Sequence, residues 1–245
     1  MILTIDAGNS RTKWGVFDAG DKLITNGALD NSELQSLAQP LPAWLDCERI
    51  VISNVAGPAL SEKISALLNP LGIPTRTITT RPAACGVRNA YTNPEQLGSD
   101  RWSALIAAWN QYRQPCIVAT AGTALTVDAL SGSGGFLGGL IVPGYRLMRQ
   151  SLALTSTTLD QQQGTLQDFP TSTADALHSG ALRALAGSVH SMCTLLRQHE
   201  GGEPLCILSG GDAAMLAGEL HRPFAIVDNL VLQGLLLIER ELEAP

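Results

Sequence analysis

The sequence predicts an α/β protein built from two related halves, each a mixed sheet that opens with a three-stranded antiparallel meander and is flanked by helices. Three observations predict it. Three short apolar runs, broken by turn residues, come before any helical pattern. From residue 49 onward, strand-like and helix-like stretches alternate, which calls for parallel pairing with helices on the sheet faces. The opening pattern then returns at residue 116, close to half of the 245 residues, as an internal repeat would. The boundary implied lies between 113 and 114, dividing the chain into 1–113 and 114–245.

The first half begins with Ile2-Leu3-Thr4-Ile5-Asp6, a Gly-containing turn, and a second apolar run through Phe17. Asp18-Ala19-Gly20-Asp21 is the next turn and Lys22 to Thr25 a third strand. Asn31 to Ala38 has helical spacing and is stopped by Pro40 and Pro42. Arg49 to Val55 reads as a buried strand, Ser61 to Leu68 as a helix and Thr75 to Thr79 as a strand. A polar, turn-rich stretch from Tyr91 to Asp100 runs directly into a helix with Trp102, Leu105, Ile106 and Trp109 on one side.

In the second half, Cys116 to Leu130 repeats the apolar run, Gly turn and apolar run, and Gly135 to Val142 supplies a third run. A helix from Pro143 through Leu152 and a polar loop from Thr155 to Pro170 follow. Ser172-Thr173-Ala174-Asp175 resembles a capping box heading a long helix with Leu177, Leu182, Leu185, Val189, Met192 and Leu196 inward. His178, His190 and His199 are spaced so that they share no metal-binding face, and no role is expected of them. Leu205 to Ser209 is a strand leading through Gly210 and Gly211 into a helix, Ala213 to Leu220. Phe224 to Val227 is the last strand, and Asp228 is expected to cap the final helix.

Composition excludes several classes. With 45% hydrophobic and 16% charged residues the chain is globular rather than disordered. A net charge of −6 with scattered Lys and Arg does not make a nucleic-acid footprint. Five widely spaced cysteines, an odd number with no C-x-x-C, suggest buried thiols in a reducing compartment rather than disulfides or a zinc site. No apolar stretch reaches the roughly 20 residues that cross a bilayer, and the first residues lack the pattern of a signal peptide. A cytoplasmic protein with no membrane partner is expected.

The candidate chemistry lies in the turns. Asp6-Ala7-Gly8-Asn9-Ser10 combines a carboxylate at a strand end with a glycine that admits close approach of a ligand, and its backbone N–H groups suit a phosphate. Asp6 could hold a metal ion or its waters. An ordinary hairpin turn is equally consistent with these residues. Asp100 sits at a helix start, where it serves either as a plain cap or as a working acid beside Gly98, Arg101 and Tyr91. Gly122-Thr123 repeats the first turn, and the strand-Gly210-Gly211-helix junction is a further place for a nucleotide. No Walker A lysine motif, dinucleotide fingerprint, nucleophile elbow or H-E-x-x-H is present.

Taken together these motifs resemble one family. Asp6-Ala7-Gly8-Asn9-Ser10, Tyr91-x-x-Pro94-Glu95-x-Leu97-Gly98-Ser99-Asp100-Arg101, Gly122 to Asp128, Gly138-Gly139-x-Ile141-x-Pro143-Gly144, Ser172-Thr173-x-Asp175-Ala176 and Ser209-Gly210-Gly211-Asp212 are similar to those of type III pantothenate kinases, within the actin, hexokinase and sugar-kinase superfamily. The resemblance covers nearly the whole chain. It implies two ribonuclease-H-like domains and transfer of a phosphoryl group from ATP to pantothenate, opening coenzyme A biosynthesis. It implies that Asp6, Ala7, Gly8, Asn9, Ser10, Arg11, Thr12 and Lys13 bind the ATP phosphates, with Thr123, Gly210 and Gly211 also on ATP and Mg²⁺ at Asp6, partly through water. Tyr91, Gly98, Ser99, Asp100, Arg101 and Thr173 would line the pantothenate pocket, with Asp100 as the base, and the protein would be a homodimer. Asp100, near a helix N-terminus and beside Arg101, is expected to stay ionised at neutral pH.

Family members commonly use a monovalent cation, K⁺ or NH₄⁺, bound by an aspartate where this chain has Thr120. A neutral hydroxyl is a poorer ligand, so a strict potassium requirement is not expected here. Two rival readings remain open: a catalytically silent, nucleotide-binding regulatory relative, and a superfamily kinase acting on another small hydroxy substrate.

Overall fold

The computed structural model describes residues 1–34, 42–155 and 164–244. They form two compact units, Met1–Tyr112 with Asn229–Pro245, and Arg113–Asp228. The expected split after residue 113 had placed the C-terminal helix with the second half. By packing, that helix belongs to the first unit.

In the first unit, β1 (Ile2–Ala7) lies at the centre of a five-stranded sheet. β2 (Arg11–Phe17) pairs antiparallel with β1, and β3 (Leu23–Asp30) antiparallel with β2. β4 (Arg49–Asn54) runs parallel to β1, and β5 (Thr75–Thr77) parallel to β4. The near-continuous burial of β1 and β4 explains their unbroken apolar sequence, since both faces of these strands are covered. On one face, Leu3, Ile5, Val16, Ile50 and Ile52 meet Trp44 of α1 (Pro42–Leu45) and Leu60, Ile64 and Leu68 of α2 (Pro58–Leu68). Each such buried aliphatic side chain contributes about 1.5–3 kcal/mol relative to exposure. A short hairpin, β6 (Ala83–Ala84) with β7 (Val87–Asn89), leads to α3 (Ser99–Tyr112).

The second unit repeats the plan. β8 (Cys116–Ala121), β9 (Ala124–Leu130) and β10 (Gly135–Pro143) pair antiparallel in sequence. After α4 (Tyr145–Thr155) and α5 (Thr173–Glu200), β11 (Leu205–Ser209) runs parallel to β8. α6 (Ala213–Ala217) then leads to β12 (Phe224–Ile226), parallel to β11. The strand order β12-β11-β8-β9-β10 is the counterpart of β5-β4-β1-β2-β3. Leu185, Val189, Met192 and Leu196 of α5 pack on Ile117, Ala119, Leu125 and Val127, the inward stripe that the 3.6-residue period predicts.

The final helix, α7 (Leu230–Glu243), packs against α3, β1 and β4 of the first unit. Its Glu239 is fully buried and meets Arg49 at 3.3 Å and Arg76 at 3.0 Å, a pairing that a buried carboxylate requires.

Several boundaries differ from expectation. β3 extends to Asp30, and α2 starts at Pro58, whose ring suits the first turn. α6 ends at Ala217 rather than Leu220. Asp228 does not cap α7. The cap is Asn229, in the left-handed conformation (φ 58°) that asparagine tolerates. The helix expected over 31–38 and the loop expected over 155–170 lie partly outside the described residues. Cys47, Cys116, Cys193 and Cys206 are buried thiols, and Cys85 is half-buried. No helix among the described residues is long and apolar enough to cross a membrane.

Candidate active site

The first cluster belongs to the first unit. β1 ends at Ala7 and the chain turns through Gly8, whose N–H donates to the Arg11 carbonyl at 3.1 Å. Asn9 and Ser10 are exposed, Ala7 and Thr12 buried, and Arg11 pairs with Asp30 at 3.3 Å. Lys13 stands opposite Asp6 in the strand register, and Ser53 stands beside Asp6 on the parallel strand. The Asp6 Oδ1 is shut off from solvent and has no hydrogen-bond partner. Burial pushes the Asp6 carboxyl up to about 7, the charge of Asp100 adds to the rise, and Lys13 opposes it.

Asp100 therefore lies near enough to repel Asp6 within the same unit. It sits in the first turn of α3, where the Gly98 carbonyl accepts from Trp102 N–H at 3.0 Å. Its Oδ1 accepts from the Arg101 N–H at 2.7 Å. Burial raises its pKa and outweighs the lowering by the Arg101 N–H and guanidinium. A Cβ on Gly98 would lie 2.5 Å from the Asp100 Oδ1, so only glycine leaves that carboxylate where it stands.

Around Asp100 the remaining predicted residues take distinct places. Arg101 is buried, donates from Nη1 to the Tyr91 hydroxyl at 3.1 Å, and lies over the Tyr91 ring at 5.8 Å. The Ser99 hydroxyl is buried and shares a hydrogen bond with Ser53 Oγ at 2.8 Å, so it is engaged inside the protein. Ser53 was not singled out from sequence, because nothing local reveals that the parallel strand carries it beside Asp6.

The second cluster belongs to the second unit. Thr120, next to last in β8, pairs with Thr126 on β9 and Ser209 on β11, so three hydroxyl residues, and no carboxylate, share this register. Gly122 N–H donates to the Ala124 carbonyl at 3.0 Å, and the exposed Thr123 follows it. Two segments press on this turn. Gly144 N–H donates to the Thr123 carbonyl at 2.9 Å, and Asp212 N–H to the Ala121 carbonyl at 3.2 Å. A Cβ on Gly144 would stand 2.0 Å from the Gly122 oxygen. One on Gly210, at φ 96°, would stand 2.2 Å from the Ala121 oxygen. Gly122, Gly144, Tyr145, Leu182, Asp212 and Met215 are among the walls of a small open cleft of about 10 Å³. Gly211 is exposed at the head of α6, whose five residues are too few for a strong helix dipole.

Thr173 is the exposed first residue of α5. Ahead of it Ser172 caps the helix, accepting from Asp175 N–H at 3.2 Å as the first bond of a capping box does, while its hydroxyl, rather than its backbone N–H, donates to Asp175 Oδ2 at 2.7 Å. These bonds and those from Thr165 hold the Asp175 carboxyl below its usual range, the Thr165 N–H contributing most. His178, of which no role was expected, shares a short hydrogen bond of 2.5 Å with the Tyr145 hydroxyl. His190 bonds the Ala186 carbonyl of its own helix at 2.9 Å.

Among the described residues no group of three or more His, Cys, Asp or Glu gathers to hold a metal. The Asp6–Asp100 pair nonetheless fits a hard divalent cation: a carboxylate oxygen without a hydrogen bond, on a group whose charge is disfavoured by burial and by a second carboxylate. Mg²⁺ binds through one or two carboxylates, completing its shell with water and phosphate oxygens.

Comparison with known proteins places this geometry. A sequence profile of the family described as type III pantothenate kinase matches residues 2–195. The chain is 47% identical over 244 residues to the type III pantothenate kinase of Nitrosospira multiformis, covering 98% of this chain and 92% of that protein. It is 45% identical over 253 residues to that of Methylobacillus flagellatus, covering 98% of each. Among solved structures, a protein of Campylobacter jejuni assigned to the Baf family of transcriptional activators shares the fold with a TM-score of 0.64 at 23% identity, covering 98% of both chains. The ROK family glucokinase of Streptomyces griseus does so with a TM-score of 0.53 at 11% identity, covering 99% of both.

Proposed function

The chain belongs to the type III pantothenate kinase family and phosphorylates pantothenate with ATP, the first step of coenzyme A biosynthesis; we propose that Asp100 is the base that receives the proton of the pantothenate hydroxyl, giving 4'-phosphopantothenate. The observation that carries this assignment is the Asp6–Asp100 pair, two mutually repelling carboxylates beside a glycine turn. One is available for a cation and the other for a hydroxyl.

Phosphoryl transfer through a loose transition state depends on positioning and charge neutralisation. The turn from Asp6 to Lys13 holds the phosphates, through backbone N–H groups and the side chains of Asn9, Ser10, Arg11 and Lys13. Thr123, Gly210 and Gly211 hold ATP from the second unit. Asp6 holds Mg²⁺, partly through water, and the bound ion supplies neutralisation of the phosphate charge. Burial raises the basicity of the Asp100 carboxylate, as suits a general base, and the Arg101 N–H and guanidinium oppose that rise. Gly98, Tyr91 and Arg101 line the pantothenate pocket, Arg101 holding the Tyr91 hydroxyl at 3.1 Å. Ser99 supports that wall from within, and the family resemblance also assigns Thr173 to pantothenate.

The finer architecture follows. The matching strand orders support reading the units as two ribonuclease-H-like domains, each opened by a three-stranded antiparallel meander. The first carries the phosphate turn and the acid, the second the partner turn. Leu140 and Ile141 on β10 and Leu147 and Leu152 on α4 leave exposed apolar surface that fits a homodimer in the cytoplasm. With hydroxyls alone in the Thr120 register, a monovalent cation is not strictly required.

A coupled ADP-release assay with pantothenate, pantetheine and a panel of sugars tests the assignment. Turnover confined to pantothenate-type substrates is expected. Turnover only with sugars, or ATP binding without turnover, would overturn it.

A further inference from the structure

We propose that Asn31 is a positioning residue for the phosphate-binding turn of the first unit, holding its peptide groups so that their N–H bonds face the ligand. Asn31 follows β3 and lies 23 residues beyond Gly8. Its Nδ2 donates to the Gly8 carbonyl at 2.8 Å and to the Asn9 carbonyl at 3.0 Å. Its Oδ1 accepts from the Thr12 hydroxyl at 2.9 Å, and its backbone N–H donates to the Ser10 carbonyl at 3.0 Å.

Both amide hydrogens and the amide oxygen are thus committed, and the Thr12 bond fixes which end of the amide faces the carbonyls. Peptide groups are planar and trans, so a C=O and the N–H of the next residue point in opposite directions. None of the described peptide bonds is cis. Holding the Gly8 and Asn9 carbonyls toward Asn31 therefore turns the N–H groups of Asn9 and Ser10 to the opposite side. Two successive N–H groups presented together are the geometry of an anion-binding concavity. Asn31 touches neither phosphate nor pantothenate. It acts by removing the freedom of two peptide planes, so that ATP binding does not have to order them.

This inference rests on the reading that the turn binds ATP phosphates, and the experiment separates the two. ATP, ADP and adenosine affinities are measured by calorimetry, and kcat and KM for both substrates by coupled assay, on the full chain and on Asn31→Ala, Asn31→Asp and Asn9→Pro. Asn31→Ala should raise the ATP Kd and KM about tenfold, the order expected for one or two lost hydrogen bonds. Adenosine affinity and the pantothenate KM should stay within about twofold, a split that general unfolding of the turn's surroundings would not produce. Asn31→Asp keeps the shape and the Thr12 acceptor but loses both donors, so it should weaken ATP at least as much. Should Asn31→Ala fold poorly, Asn31→Asp decides alone. Asn9→Pro, which deletes one of the N–H groups, should weaken ATP as well. If Asn9→Pro weakens ATP and Asn31→Asp does not, the role of Asn31 is overturned while the phosphate reading stands. If neither weakens ATP, the phosphate reading falls and the inference with it.

Discussion

The turn after β1 and the turn after β8 hold equivalent places in their sheets, yet they are built by opposite means. Asp6-Ala7-Gly8 and Thr120-Ala121-Gly122 each end a central strand flanked by one antiparallel and one parallel neighbour, with Ser53 beside the first and Ser209 beside the second. The first is charged and held by a side chain: Asn31 bonds three of its groups, and a Cβ on Gly8 would press on the Arg11 oxygen at 3.2 Å, a tight contact but a looser one than at Gly144 or Gly210. The second is uncharged and held by backbone packed against backbone at Gly144 and Gly210. In both, the residue just after the third strand donates its N–H to a turn carbonyl, Asn31 to Ser10 and Gly144 to Thr123. The difference teaches that one backbone plan can serve two tasks. On the proposed reading, the first turn serves a cation and a substrate hydroxyl through its carboxylates, and the second serves the ligand with neutral backbone.

The contrast can be tested by substitution. Asp100→Asn keeps the shape of the first unit and removes the proposed base, so kcat should fall by roughly 10²–10⁴, the usual worth of a general base, with ATP affinity within about twofold. An active Asn variant would remove Asp100 from the chemistry and leave Asp6 as the only working carboxylate.

The next largest effects belong to the second turn. Gly210→Ala forces a side chain into a positive-φ position and against the Ala121 oxygen, at a cost of about 1–3 kcal/mol from backbone strain alone. Gly144→Ala meets the Gly122 oxygen. Both should lower the melting temperature and weaken ATP, and Gly8→Ala should be milder on both counts. Calorimetric melts and ATP titrations rank the three. An equal ranking would mean that the two turns are held alike.

Asp6→Asn probes the charge of the first turn. Because the folded-state pKa of Asp6 is raised from 3.8 to about 7, the folded protein keeps a proton that the unfolded chain has lost between those values. The stabilisation this gives is present at low pH and is lost as pH rises through about 7. Melting of the metal-free protein should therefore be higher for Asp6→Asn than for the parent at pH 8, and nearly equal at pH 4. Mg²⁺ with ATP should stabilise the parent at pH 8 more than the variant. A parent that gains stability from pH 6 to pH 8 relative to the variant would contradict this.

The smallest effect concerns Thr120. Removing K⁺ and NH₄⁺ should change activity less than about twofold, since neutral hydroxyls make a weak cation site. Thr120→Asp, which restores the carboxylate pattern of the first turn, should make activity respond to K⁺. Strong dependence in the parent would show that the hydroxyl register binds the ion unaided.

Much of this was legible in the residues, and the exceptions are instructive. The two glycine turns could be read because apolar runs and turn residues act over a few positions. The α5 stripe and the Ser172 capping box were legible for the same reason. Asn31 and Ser53 were not, since their importance comes from β3 and β4 returning beside residues 6 to 12. Asp228 and Asn229 are both plausible caps by type, and only the left-handed backbone at Asn229 decided between them.

By itself the sequence determined the order of strands and helices, the repeat of the opening pattern and the family motifs, because apolar periodicity and turn chemistry are local properties of the chain. Tertiary structure decided that the last helix closes the first unit, that Asn31 grips the turn, and that burial and the charge of Asp100 raise the resistance of Asp6 to ionisation. Those outcomes depend on burial and on distances between residues far apart in sequence, and such quantities exist only once the chain has folded.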